Sequence, residues 1–148
     1  MKIIIGADHH GLKLKADLIS SLSDEYSFED VGAYDYVPDD DYPMFAIKVG
    51  ELVVSNSDHR GIVICRSGIG VSIAANKVVG VRAALVSSES EAKMARLDND
   101  ANVIALAAGQ DRVDFTPVVR VFLNTNFSHI ARHQRRIQII SDYERSNV

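Results

Sequence analysis

Runs of β-branched and apolar residues alternate along the chain with stretches whose apolar positions recur at helical intervals. The first run, Lys2 to Gly6, is followed by a segment from Gly11 to Ser21 in which Leu12, Ala16 and Ile19, with Leu22 just beyond, share a helical face. A weaker strand signal at Phe28 to Val31 ends at Gly32. The polar, acidic stretch Asp35 to Asp41, which contains Pro38, reads as a surface loop. Pro43 suits the first turn of a helix that Met44, Ile47, Leu52 and Val54 carry to about Ser55. Gly61 to Cys65 is continuously apolar, as a parallel strand buried on both faces must be. A glycine turn, Ser67-Gly68-Ile69-Gly70, leads into a helix from Val71 to Lys77. Strands at Val81 to Val86 and Asn102 to Ala107 flank a helix from Glu89 to Leu97. Helices over Val118 to Leu123 and Arg136 to Tyr143 close the pattern.

Strict alternation of strand and helix predicts right-handed crossovers. The expected fold is α/β: a doubly wound, Rossmann-like parallel sheet of about five strands in three α/β/α layers, with residues 1–148 forming one domain. Ligands of such sheets bind at the carboxyl ends of the strands, beside the point where strand order reverses. That rule directs attention to Ala7 through Gly11, Cys65 through Gly70, Ser87-Ser88 and the residues after Ala107.

Composition narrows the function. The 148 residues carry 16 Lys+Arg against 20 Asp+Glu, a net charge of −4, which argues against nucleic acid as the main partner. No apolar run approaches the roughly 20 residues that span a bilayer, and the apolar start breaks at Gly6 too soon for a signal peptide. One cysteine excludes an internal disulfide and disfavours a cysteine-based zinc site. A soluble, cytoplasmic protein is expected, with no membrane partner.

Cys65 through Ser72 carries the strongest local signal. A strand ends, a glycine-rich turn exposes N–H groups, and a helix begins, which together make an anion site. The third glycine of a dinucleotide fingerprint would fall at Ile73, and no phosphate-loop lysine is present. Packing alone also explains such a turn. Cys65 reads equally as a thiolate base, favoured by nearby donors, or as a small buried hydrophobe. Asp8 either holds a substrate group or caps the helix that follows, and both roles are compatible. Arg132 and Arg136 share a helical face that fits a phosphate, or they form a solvated charged surface.

Taken together, these residues resemble the family of type B ribose-5-phosphate isomerases and galactose-6-phosphate isomerase subunits. The markers run in order: Gly6-Ala7-Asp8-His9, Asp41-Tyr42-Pro43, Cys65 with its glycine loop, and Ser72 through Lys77. Gly80-Val81-Arg82-Ala83, Asn99 through Val103 and Arg132-His133-Gln134 complete them. The resemblance implies interconversion of ribose 5-phosphate and ribulose 5-phosphate through a cis-enediolate, without metal or organic cofactor. It implies Cys65 as the base, Ser67 as the group moving protons between substrate oxygens, and the backbone of Arg66, Gly68, Ile69 and Gly70 as the enediolate's donors. It also implies substrate contacts from Asp8, His9 and Asn99, and phosphate contacts from Arg132 and Arg136 of a neighbouring subunit in a homodimer or dimer of dimers. An isomerase of a six-carbon aldose phosphate, such as galactose or allose 6-phosphate, and a non-catalytic sugar-phosphate-binding module are the alternatives.

Three positions depart from the family pattern. Asp98 stands where a ring-opening histidine is usual, and an ionised aspartate is a poor proton donor. Asp98 can be the catalytic acid only if burial or a carboxylate such as Asp8 raises its pKa, and otherwise a histidine of the His9-His10 pair is expected to take that role. Arg66 replaces a glycine after the cysteine. The connection from Ala107 to Arg112 is longer than usual, which leaves Arg112 an uncertain match to a third phosphate-binding arginine.

Overall fold

The computed structural model describes residues 1–110 and 113–147. Five strands, β1 (Lys2–Ala7), β2 (Ser27–Asp30), β3 (Arg60–Cys65), β4 (Ala83–Leu85) and β5 (Val103–Ala107), form one parallel sheet in the order β2-β1-β3-β5-β4. Helices α1 (Leu12–Leu22), α2 (Tyr42–Val54), α3 (Ile69–Ala75), α4 (Glu89–Asn99), α5 (Phe115–Asn124) and α6 (Ala131–Ser146) complete the described elements, with a short 3-10 turn at His9–Gly11.

The period-two alternation of the strands sorts their side chains into two cores. Ile3, Ile5, Ile62, Ile64, Ile104 and Leu106 face α1, α4 and α5. Ile4, Val63, Cys65, Val103 and Ala105 face α2 and α3. The layers are those of the expected α/β/α sandwich. After β1 the chain moves outward to β2, and β3 then pairs on the other side of β1. The reversal therefore lies between β1 and β3, and their carboxyl ends open a crevice there.

Element bounds shift by one to five residues from expectation; α5 begins at Phe115, three residues before Val118, and α3 at Ile69, two before Val71. The last helix begins at Ala131, five residues before Arg136, so Arg132 and Arg136 share one helix. The fourth strand pairs only over Ala83–Leu85, although Val81 and Val86 beside it are buried. It is an edge strand whose outer residues pack without a ladder.

Candidate active site

The ends of β1, β3 and β5 are stitched together. Asp8 N–H donates to the Ile64 carbonyl at 3.1 Å, and Ala108 N–H to the Cys65 carbonyl at 2.9 Å. Cys65, the last residue of β3, points to the α2–α3 face and is buried. The turn after it reverses direction at Gly68, whose backbone is left-handed (φ +72°) and whose N–H donates to Cys65 Sγ at 3.2 Å. Ser67 Oγ accepts the Ile69 N–H at 3.3 Å and starts α3. The first turn of any helix leaves N–H groups without intrahelical acceptors, so this turn presents donors beside the thiol.

Of the two roles read for Asp8, the structure displays the cap. Its Oδ1 accepts the N–H groups of His10 and Gly11 at 3.0 and 3.2 Å, capping the 3-10 turn, and the buried carboxylate also lines a cavity of 460 Å³. The other walls of that cavity include His10, Tyr42, Cys65, Arg66, Ser67 and Gly70. The Tyr42 ring lies so close over Gly70 that a Cβ there would meet it at 2.5 Å. Arg66 is exposed, and its carbonyl accepts the Gly109 N–H at 2.9 Å. His9 turns away from this wall to Asp40, with Nδ1 2.5 Å from Oδ1. Asp8, His9 and His10 offer ligand atoms within 4.8 Å of one another, a grouping with the right donors for a divalent metal. Asp8 and His9 already hold the partners just described.

Asp98, Asn99 and Arg136 lie elsewhere. Asn99 ends α4, immediately before β5, and lines with Arg136, Asn76 and Arg82 a separate cavity of 410 Å³. Because β3 and β5 are parallel, with Gly61 beside Val103 and Cys65 beside Ala107, the α4 end is at the opposite sheet edge from the thiol. Those four residue steps alone span about 13 Å. Arg132 is exposed on the first turn of α6. Arg112 falls outside the described residues.

The partners of two residues at these sites carried no signal in the one-dimensional pattern. Asp40 sits in a stretch that reads as solvated loop, yet it is half-buried against His9. His133 is the one buried residue of α6 among those described, with Nδ1 3.5 Å from Asp98 Oδ1. Each partnership is set by tertiary contact, and only the acid–histidine composition hints at it.

The model of the ribose/galactose isomerase family matches residues 3–140. The ribose-5-phosphate isomerase B of Mycobacterium tuberculosis is 40% identical over 149 residues, covering 99% of this chain and 92% of that protein. The crystal structure of ribose-5-phosphate isomerase B from Mycoplasma genitalium with bound ribulose-5-phosphate superposes with a TM-score of 0.91 at 43% identity, over 97% of this chain and 96% of that one. That of Clostridium thermocellum ribose-5-phosphate isomerase B gives 0.90 at 40% identity, over the whole of both chains. In residues, topology and extent alike, the chain belongs to the ribose/galactose isomerase family.

Proposed function

We propose that the protein interconverts D-ribose 5-phosphate and D-ribulose 5-phosphate through a cis-enediolate, with Cys65 as the base. The observation that carries this reading is the buried thiol at the end of β3 that accepts the Gly68 N–H at 3.2 Å. A module that only held phosphate would need the glycine turn but not the thiol.

Aldose–ketose isomerisation moves one proton between adjacent carbons and one between adjacent oxygens. Cys65 Sγ takes the carbon-2 proton of the open-chain aldose, a carbon-1–carbon-2 double bond forms, and negative charge gathers on the oxygens. The backbone donors from Arg66 to Gly70 meet that charge as it develops. Ser67 Oγ passes the hydroxyl proton from oxygen 2 to oxygen 1, and Cys65 returns its proton to carbon 1. No step calls for a metal or organic cofactor. Asp8 holds a sugar hydroxyl from the cavity wall, and a substrate contact from His9 requires its ring to leave Asp40.

Asn99, Arg132 and Arg136 reach this site from a second copy, because within one chain the α4 end lies at the far sheet edge. Exposed Ile139, Ile140 and Tyr143 on α6, with Ile69 and Ile73 beside the glycine turn, give two copies apolar surface to bury. A homodimer, or a dimer of dimers, is the working unit, and one isomerase domain spans residues 1–148. A lone free thiol used as a base suits the reducing cytoplasm, and no described helix is long and apolar enough to cross a membrane.

The test is turnover of ribose 5-phosphate, ribulose 5-phosphate and allose 6-phosphate by the purified protein and by its Cys65→Ala and Cys65→Ser variants. Both variants are expected to lose about 10²-fold or more in turnover on the pentose phosphates while holding inorganic phosphate as tightly as the parent. Near-normal isomerisation by Cys65→Ala overturns the assigned base. Turnover confined to allose 6-phosphate moves the substrate to the six-carbon class.

A further inference from the structure

We infer that the Arg66 side chain grips the substrate phosphate, and does so from the same chain that supplies Cys65. The inference rests on the isomerase reading above and adds a binding residue to that site.

Among the residues lining the 460 Å³ cavity beside the thiol, Asp8 is the carboxylate and Arg66 the one permanent cation. His10, the other basic group of this wall, has Nδ1 3.6 Å from Asp8 Oδ2 and faces that carboxylate. A phosphate dianion drawn in beside Asp8 meets like charge, and a guanidinium in the same wall offsets it. Arg60, Arg82, Arg96, Arg120 and Arg145 all donate to carbonyl or carboxylate oxygens of this chain. The Arg66 side chain differs from them: it is exposed, and among the described residues none accepts from its guanidinium.

Contact with Gly109 places the stem of Arg66. The Arg66 carbonyl accepts the Gly109 N–H at 2.9 Å, and a Cβ added to Gly109 would lie 2.9 Å from that oxygen and 3.4 Å from Arg66 Cγ. A residue without a side chain therefore lets the stem lie against the segment that follows β5. Cys65 faces the α2–α3 side of the sheet, whereas the Arg66 stem leans towards the β5 end. Two consecutive residues thus send the base and the cation different ways from one strand end. The substrate has the matching layout, with its reacting carbons at one end and its phosphate at the other. A guanidinium presents its N–H groups as a planar fork that meets two phosphate oxygens at once. The backbone donors of the turn stay with the enediolate, so the standing charge and the developing charge have separate partners.

Arg66→Gln removes the charge and Arg66→Lys keeps it without the fork, while both retain the backbone N–H and the carbonyl bond to Gly109. Arg66→Gln is expected to raise the KM for ribose 5-phosphate and the calorimetric Kd of inorganic phosphate about tenfold each. Its kcat should fall less than about threefold, the mark of binding lost equally from ground and transition states. Arg66→Lys should fall between the parent and Arg66→Gln. The acid limb of the kcat–pH profile reports the base in the substrate complex and should stay where it is in the parent. Subunit mixing shows which chain's site Arg66 serves. Cys65→Ala subunits reassorted with Arg66→Gln subunits leave no hybrid site whole if both residues act in one chain's site. At substrate levels well below KM the mixture should then show only the average of the two separate preparations. The inference is overturned if KM and the phosphate Kd stay parental, or if kcat falls or the acid limb moves in their place, because the guanidinium then serves the thiol or the enediolate. Activity above the average overturns it as well, since Arg66 then serves the partner's site. A parent that converts neither pentose phosphate fails at the isomerase reading itself, and the calorimetric comparison with inorganic phosphate still decides the grip.

Discussion

Gly68 holds a backbone conformation that L side chains rarely adopt, and it does so in a crowded place. A Cβ added there would lie 2.5 Å from Leu85 Cδ1 and 3.0 Å from the Leu106 carbonyl carbon. The Leu85 side chain can yield, but the β5 backbone cannot. The N–H of the same residue donates to Cys65 Sγ, so Gly68 takes part in both the turn and the environment of the thiol. Gly68→Ala is therefore expected to cost about 1–3 kcal/mol of stability and to reduce turnover far more than phosphate affinity. Urea unfolding and steady-state kinetics on the same preparation check both halves. A variant with parental turnover would show that the thiol does not depend on this donor. At this scale the site was partly readable in advance: the glycine turn, Cys65 and Asp8 follow from the strand ends and the binding rule for doubly wound sheets. The His9–Asp40 contact joins residues 31 apart in sequence, and no local pattern encodes it.

Among the elements, α4 shows how local chemistry fixes a helix whose far end carries Asp98 and Asn99. Ser88 Oγ accepts the Glu91 N–H at 3.2 Å, and Glu91 Oε2 reaches back to accept the Ser87 N–H at 2.6 Å. This is a reciprocal cap spelled in the sequence by Ser88 and Glu91 three residues apart. The helix begins at Glu89, as its pattern predicts. Ser88→Ala is expected to cost about 1 kcal/mol. The Ser87 backbone N–H holds the Glu91 carboxyl below the usual glutamate range. A group that binds its proton more weakly when folded adds stability above the unfolded pKa and loses it as pH falls through the folded value. Glu91→Gln should therefore lower Tm at pH 7, with the gap from the parent narrowing in acid; a gap constant down to pH 3 would place the effect elsewhere. By contrast, α6 has no side-chain cap at Ile130 and buries only His133 among its described residues. With neither a start signal nor an apolar stripe to read, the chain pattern places its beginning five residues late. The central strands β1, β3 and β5 were easier because two-sided burial leaves unbroken apolar runs, whereas the edge strands β2 and β4 are half-buried, β2 lying one residue earlier than expected and β4 shorter than its run.

On the scale of the whole molecule, the fold separates residues that the proposed mechanism uses together. Cys65 and the glycine turn lie at one edge of the sheet, and Asn99 with Arg136 beside the start of β5 at the other. The proposed two-fold dimer would resolve this by bringing each chain's α4–α6 corner to its partner's β1–β3 crevice, making two equivalent sites. Subunit mixing tests the arrangement. Cys65→Ala lacks the base and Arg136→Ala lacks a phosphate cation, so each homodimer should be nearly inactive. In a hybrid dimer one site contains both damaged residues. The other joins the intact Cys65 of one chain to the intact Arg136 of its partner, and is whole. Random reassortment of equal amounts makes half of the dimers hybrids, each with one working site, so the mixture should recover about one quarter of the parental activity. Two differently sized tags, with the hybrid isolated by sequential affinity steps, let the specific activity be measured on the hybrid itself. About half the parental value per hybrid dimer is the expected result. A hybrid as inactive as both parents would mean that each chain draws Cys65 and Arg136 into its own site, and the cross-subunit assignment of the phosphate contact would fall.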